Sequence, residues 1–247
     1  YNSYRRYDLY YFGPIPVDAK EKKLKGFKPQ FIENLSTAYV HDHSSFGMAS
    51  PSVGERYRLE FGRYFGTFQF NEILLDYRKY WFIKPITIAA RVMHYGRLGN
   101  YNAINPLFIG NPGLVRGYSF NRFVTNFQED YYFALDRLTG SKLGLFGMEV
   151  RVPLTGPERL ALIRSRVWLS EIAFFLDNGI AWDEYEQLKH LNEPTATNNI
   201  QRTPMMVSSI GLSYRVNLGS AIFEPFYAIP LNKDFKPGIG INFLPGW

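Results

Sequence analysis

The chain has 247 residues, a length that one all-β domain or two small ones can fill, and 28 Lys and Arg against 22 Asp and Glu give a formal net charge of +6. There is no cysteine, which excludes disulfides, thiol catalysis and cysteine-ligated metal; the positive charge is spread along the chain, which argues against a nucleic-acid partner. Aromatics reach 17% and hydrophobic residues 46%, yet mean hydropathy is only -0.22 and no run is long enough for a membrane helix, a combination that suits a barrel with an apolar outer band, aromatic girdles and a polar interior.

The sequence opens at Tyr1 without a signal peptide, as a mature form or an excised portion would. Tyr7 to Phe12 reads as one strand, ended by Gly13-Pro14-Ile15-Pro16. Lys20 to Lys28 carries five lysines, read as a solvated loop, with a patch facing lipopolysaccharide phosphates or a partner as the alternative. These features define an N-terminal portion, residues 1–34, ahead of the steady pattern that fills 35–247.

That pattern begins with a short strand from Leu35 to Val40 and a turn-rich stretch from Asp42 to Gly54. Tyr57, Leu59 and Phe61 then alternate with Arg56, Arg58 and Glu60, giving one apolar and one polar face. In the strand from Phe68 to Phe82, Ile73, Leu75 and Tyr77 oppose Glu72, Asp76 and Arg78; Phe68 and Phe70 fall out of phase, which predicts a bulge near Asn71. Ile88, Ala90 and Val92 alternate with Thr87, Ala89 and Arg91. The long segment 100–141 breaks the period with glycine, proline and asparagine, and connections of that length are functional or disordered.

The alternation resumes with Phe146, Met148, Val150 and Val152 against Gly147, Glu149 and Arg151, then Trp168, Ile172, Phe174 and Leu176 against Glu171, Ala173, Phe175, Asp177 and Gly179. A polar loop from Asp183 to Thr203 precedes Ile210 to Asn217, a tight turn at Asn217 to Ser220, a strand from Ile222 to Ile229, and a last strand in which Ile239, Ile241 and Phe243 interleave with Gly238, Gly240 and Asn242.

Nine or ten strands of this length predict an all-β, transmembrane antiparallel barrel. The period leaves a soluble lipocalin-like barrel, with faces reversed, open. If the apolar faces meet lipid, Glu149, Arg151, Glu171 and Asp177 all point inward. Arg116, between Gly113 and Gly117 in the long loop, could then enter the interior and pair with those carboxylates; a surface position is the alternative. Enzymatic motifs are missing: there is no G-x-S-x-G, P-loop or H-E-x-x-H, and no cofactor is expected. His41 and His43 share a strand face and are a minor candidate for a metal site.

Val115-Arg116-Gly117-Tyr118 resembles the VRGF/Y motif of the BamA/TamA superfamily of outer-membrane assembly barrels, also called the bacterial surface-antigen superfamily. Pro106 to Asn111 resembles the segment ahead of that motif, Glu149-Val150-Arg151-Val152-Pro153-Leu154 the strand after it, and Phe175-Leu176-Asp177-Asn178-Gly179 the family's F-x-D-x-G strand. The resemblance implies a loop folded into the lumen with Arg116 contacting Asp177 and Glu149; Glu171, which has no motif match, is a neighbour. Phe243 and Trp247 resemble the terminal targeting signal, although Leu244-Pro245-Gly246 interrupts the usual ending. The family barrel has about sixteen strands, and the motifs align with its last nine, so upstream strands and periplasmic repeats are missing or the barrel is shortened. The implied setting is the outer membrane of a Gram-negative bacterium, in contact with lipid and lipopolysaccharide. The implied function is insertion or translocation of client β-barrel proteins; the alternatives are an anchor or subunit of an envelope complex and a passive pore.

Overall fold

The computed structural model describes residues 2–6, 10–11, 22–23, 30–100, 106–119, 137–191, 203–219 and 221–245. Ten strands run in sequence order across one sheet: β1 (Asn2–Arg6), β2 (Gln30–Asp42), β3 (Pro51–Gly66), β4 (Gln69–Ile83), β5 (Ile86–Asn100), β6 (Lys142–Gly156), β7 (Leu169–Trp182), β8 (Val207–Asn217), β9 (Ala221–Pro230) and β10 (Gly238–Pro245). Each pairs antiparallel with the next. Ser45–Phe46 and Ile163–Arg164 add short ladders to β3 and β6. This is the antiparallel barrel sheet expected, and no α-helix occurs among the described residues.

Side-chain parity sorts the two faces. Phe146, Met148 and Val150 are each 40–41% exposed on the outer face, whereas Arg151, Glu171, Asp177, Arg215 and Glu224 are buried on the inner face. The inversion of the usual soluble rule, apolar outside and charge inside, is the physical signature of a wall between lipid and a polar interior. On the outer face Tyr57 lies directly opposite Tyr77, with ring centroids 6.5 Å apart, and Tyr39 lies 5.9 Å from Tyr57.

Several elements differ from the sequence reading. The predicted bulge near Asn71 is absent: β3 and β4 stay in continuous register from Gly54↔Tyr80 to Tyr64↔Phe70. Phe70 is simply an inward aromatic, buried and stacked on Tyr64 at 4.2 Å. A register shift occurs instead between Pro153 and Thr155, where proline has no amide to donate. The first strand is Asn2–Arg6, while Tyr10–Tyr11 pairs with Lys22–Lys23, so two of the five lysines lie in a ladder. Residues 7–9 and 12 lie outside the described residues. β2 and β3 outrun the predicted strands, because their ladders continue through residues that do not alternate in polarity. The polar loop after β7 contains a 3-10 turn at Tyr185–His190.

The meander puts the β2–β3, β4–β5, β6–β7 and β8–β9 connections at one end of the sheet, the turn end. The long connection between β5 and β6 leaves from the other, the loop end.

Candidate functional site: the loop anchor

The described part of the long loop starts at Pro106. Leu107–Phe108 pairs with Thr139–Gly140, and Asn111 then tightens the chain locally. Its side-chain oxygen accepts from Gly113 N–H at 3.0 Å, and its carbonyl accepts from Leu114 and Val115 N–H at 2.8 and 3.1 Å. An asparagine followed by proline and glycine favours such a turn. It aims Val115, Arg116 and Tyr118 at the inner face of β7, β8 and β9.

Arg116 is 6% exposed. Its Nε and Nη2 donate to the two Asp177 oxygens at 2.7 and 2.8 Å, a bidentate fork, and its own backbone N–H reaches Asp177 Oδ2 at 3.2 Å. Nη2 also donates to Glu149 Oε1 at 2.8 Å, and Nη1 to Glu224 Oε1 at 3.2 Å. The guanidinium carbon lies 3.5 Å from the Phe175 ring centroid, so one face is covered by an aromatic while the edges are saturated with acceptors. Arginine suits this position because its rigid fork serves several carboxylates at once.

Two further guanidiniums balance the carboxylates. Arg215 donates to both Glu149 oxygens at 2.8 and 2.7 Å and to Glu224 Oε1 at 2.8 Å, and it lies 3.4 Å from Glu171 Oε1. Arg151 Nε donates to Glu149 Oε2 at 2.8 Å. Three guanidiniums thus meet four carboxylates in a buried cluster, where an unpaired charge would be costly. Asn242 on β10 donates to Glu224 Oε2 at 3.1 Å and to the loop carbonyl of Pro112 at 3.4 Å. Arg91 on β5, held by Asp76 at 3.0 Å, donates to the loop carbonyl of Gly113 at 3.1 Å. The loop tip is therefore tied from β5 across to β10.

The motif residues around Arg116 have separate tasks. Gly179 leaves space for the loop: a Cβ there would stand 2.7 Å from Val115 Cγ2 and 2.9 Å from Ile109 Cδ1. Gly117 has φ +96°, a conformation that glycine adopts at little cost. Val115, Ile109, Tyr118 and Leu138 form a wholly buried core with Leu143, Val207 and Phe235. The Tyr118 hydroxyl accepts from Ser208 N–H at 3.1 Å, donates to the Ser208 carbonyl at 2.6 Å and touches the Asn232 side chain. Tyr118→Phe is expected to lower the stability of the loop by about 1 kcal/mol, the net worth of such a bond, measured as a modest fall in the temperature at which the folded barrel loses its anomalous electrophoretic mobility.

The structure brings together Arg116, Asp177, Glu149, Glu171, Phe175 and Gly179. Sequence reasoning did not single out Glu224, Asn242 or Arg91 as partners. Glu224 had a partial signal: a hairpin turning at Asn217 to Ser220 puts it on the same face as Arg215 by parity, whereas the observed register, Val216↔Phe223 and Asn217↔Ile222, sets it directly opposite Arg215. Phe243 points outward, 69% exposed and 5.3 Å from the Phe223 ring; Trp247 lies outside the described residues. The rings of His41 and His43 stack at 6.1 Å, and no cluster of three or more metal-ligating residues occurs among the described residues.

An antiparallel sheet that is apolar outside and charged inside, with a loop locked onto its inner face by a buried arginine, defines a transmembrane β-barrel of the outer-membrane type. The family model for the Omp85 superfamily domain matches residues 2–244, nearly the whole chain, and the chain belongs to the Omp85 superfamily, a family of outer-membrane barrels of the BamA/TamA type. No curated protein matches it.

Proposed function

We propose that this domain assists the insertion or translocation of other β-barrel proteins in the outer membrane of a Gram-negative bacterium. The observation that carries this reading is the tie between the anchored loop and β10. Asn242 joins the Pro112 carbonyl of the loop to Glu224 of β9, and β10 pairs only with β9 among the described residues. A strand braced from inside keeps its outer edge extended, and an extended edge templates an incoming strand through backbone hydrogen bonds. Such work needs neither catalysis nor a cofactor. The outer face, with Phe146, Met148 and Val150 exposed, would meet lipid, and lipopolysaccharide would bathe the loop end. A passive pore fits less well, because the loop is tied onto the inner face through Arg116, Asp177 and Glu149. Depleting the protein is expected to reduce many outer-membrane barrels together. A loss confined to one envelope partner would refute assembly in favour of a structural anchor.

A further inference from the structure

The segment 47–51, at the turn end, does not stay on the rim. Met48, Ala49, Ser50 and Pro51 are buried, and the Met48 sulfur occupies the space above Gly156, where a Cβ would come within 2.3 Å of it. Asn217 Nδ2 donates to the Met48 carbonyl at 3.1 Å. The segment thus folds inward from the end opposite the long loop. Ser50, 1% exposed, meets the charged cluster from below. Its hydroxyl donates to Glu171 Oε1 at 2.5 Å and accepts from Arg151 Nη1 at 2.9 Å; the same nitrogen donates to the Pro51 carbonyl at 3.0 Å.

We propose that this tucked rim segment is a second latch, coupled to the loop anchor through Ser50, Arg151, Glu149 and Arg116. Every link is short: Ser50 to Arg151 at 2.9 Å, Arg151 to Glu149 at 2.8 Å, Glu149 to Arg116 at 2.8 Å. All four side chains are at least largely buried, so little water competes for the bonds. Along β7 the coupled residues run from Gly179, the seat of Val115, to Glu171, the partner of Ser50. Eight residues of strand cover about 26 Å, so the latch links opposite ends of the inner face. Glu149 is the shared element: it accepts from Arg116, Arg151 and Arg215 at once. When Ser50 leaves, Arg151 loses the partners that aim its Nε at Glu149, and Glu149 holds Arg116 less firmly. Arg151 and Ser50 act as positioning residues for the anchor, and whatever pulls the rim segment outward loosens the loop.

These 247 residues hold no cysteine, so an introduced thiol is the only one within them. Val115→Cys places a single thiol at a site that is 0% exposed, and its maleimide labelling rate in membranes reports loop release. Ser50→Ala is expected to raise that rate about two- to thirtyfold, the usual range for coupling carried through a packed network. Ser52→Ala is the control, because its hydroxyl reaches only the Ser45 carbonyl, at 3.4 Å. Equal rates in the two variants, raised or not, overturn the proposal. Coupling is reciprocal, so Met48→Cys, 6% exposed at the rim, is expected to label faster when Arg116 is changed to Gln. A rim thiol indifferent to Arg116 contradicts the latch even where Ser50→Ala loosens the loop. Electrophoresis of unheated samples confirms in each case that the barrel is folded.

Discussion

Arg116→Glu is expected to free the loop from the inner face while the strands stay paired. The substitution removes the guanidinium from Asp177, Glu149 and Glu224, 2.7, 2.8 and 3.2 Å away, and sets a fourth carboxylate among them. Breaking a buried ion pair costs about 3–5 kcal/mol, because the charges left behind have no partner. For a domain of this size that lowers the transition seen by heat-modifiability by about 6–20 °C. Protease sensitivity is expected to appear in 106–119 first, since the ladders of the sheet do not depend on Arg116. Arg116→Lys is expected to fall between the two, because an ammonium keeps the charge and loses the fork. An unchanged transition together with an uncut loop would show that the anchor holds nothing.

Gly179→Ala tests the same loop through shape rather than charge. The added methyl would stand 2.7 Å from Val115 and 2.9 Å from Ile109, both wholly buried, so the loop has to move. Overpacking of this kind costs about 1–3 kcal/mol. Val115→Ala removes the colliding atom, and the double variant is expected to recover part of the loss. Full additivity of the two single effects would mean that Val115 does not sit over Gly179, since residues in contact couple and distant ones do not.

Much of this site was legible because strand parity is a strict rule. Once Phe146, Met148 and Val150 faced lipid, Glu149 and Arg151 had to face inward, and the same count placed Glu171, Asp177 and Gly179 on β7. The loop residue Arg116 could be matched to them only through the resemblance of its motif. Parity failed where both faces carry similar residues. On β9 the inward Ile222, Phe226 and Ala228 flank Glu224 and the outward Phe223, Tyr227 and Ile229 are equally apolar, so nothing marks the acid as buried except the parity it shares with Arg215. Phe70 misled for the same reason: an inward aromatic looks like a slip in phase, although its ring stacks on Tyr64. Ser50 lies in a connection, where no period applies, and its contacts appear only once the rim segment has folded under Arg151.

The most direct test of the anchor is the reactivity of a single thiol at position 115 in the folded, membrane-embedded barrel. With Arg116 intact, Val115→Cys is expected to resist a membrane-impermeant maleimide, and with Arg116→Glu it is expected to react. A thiol at position 115 that labels as fast as one at the exposed Asn111, with Arg116 in place, would contradict a loop locked inside the barrel.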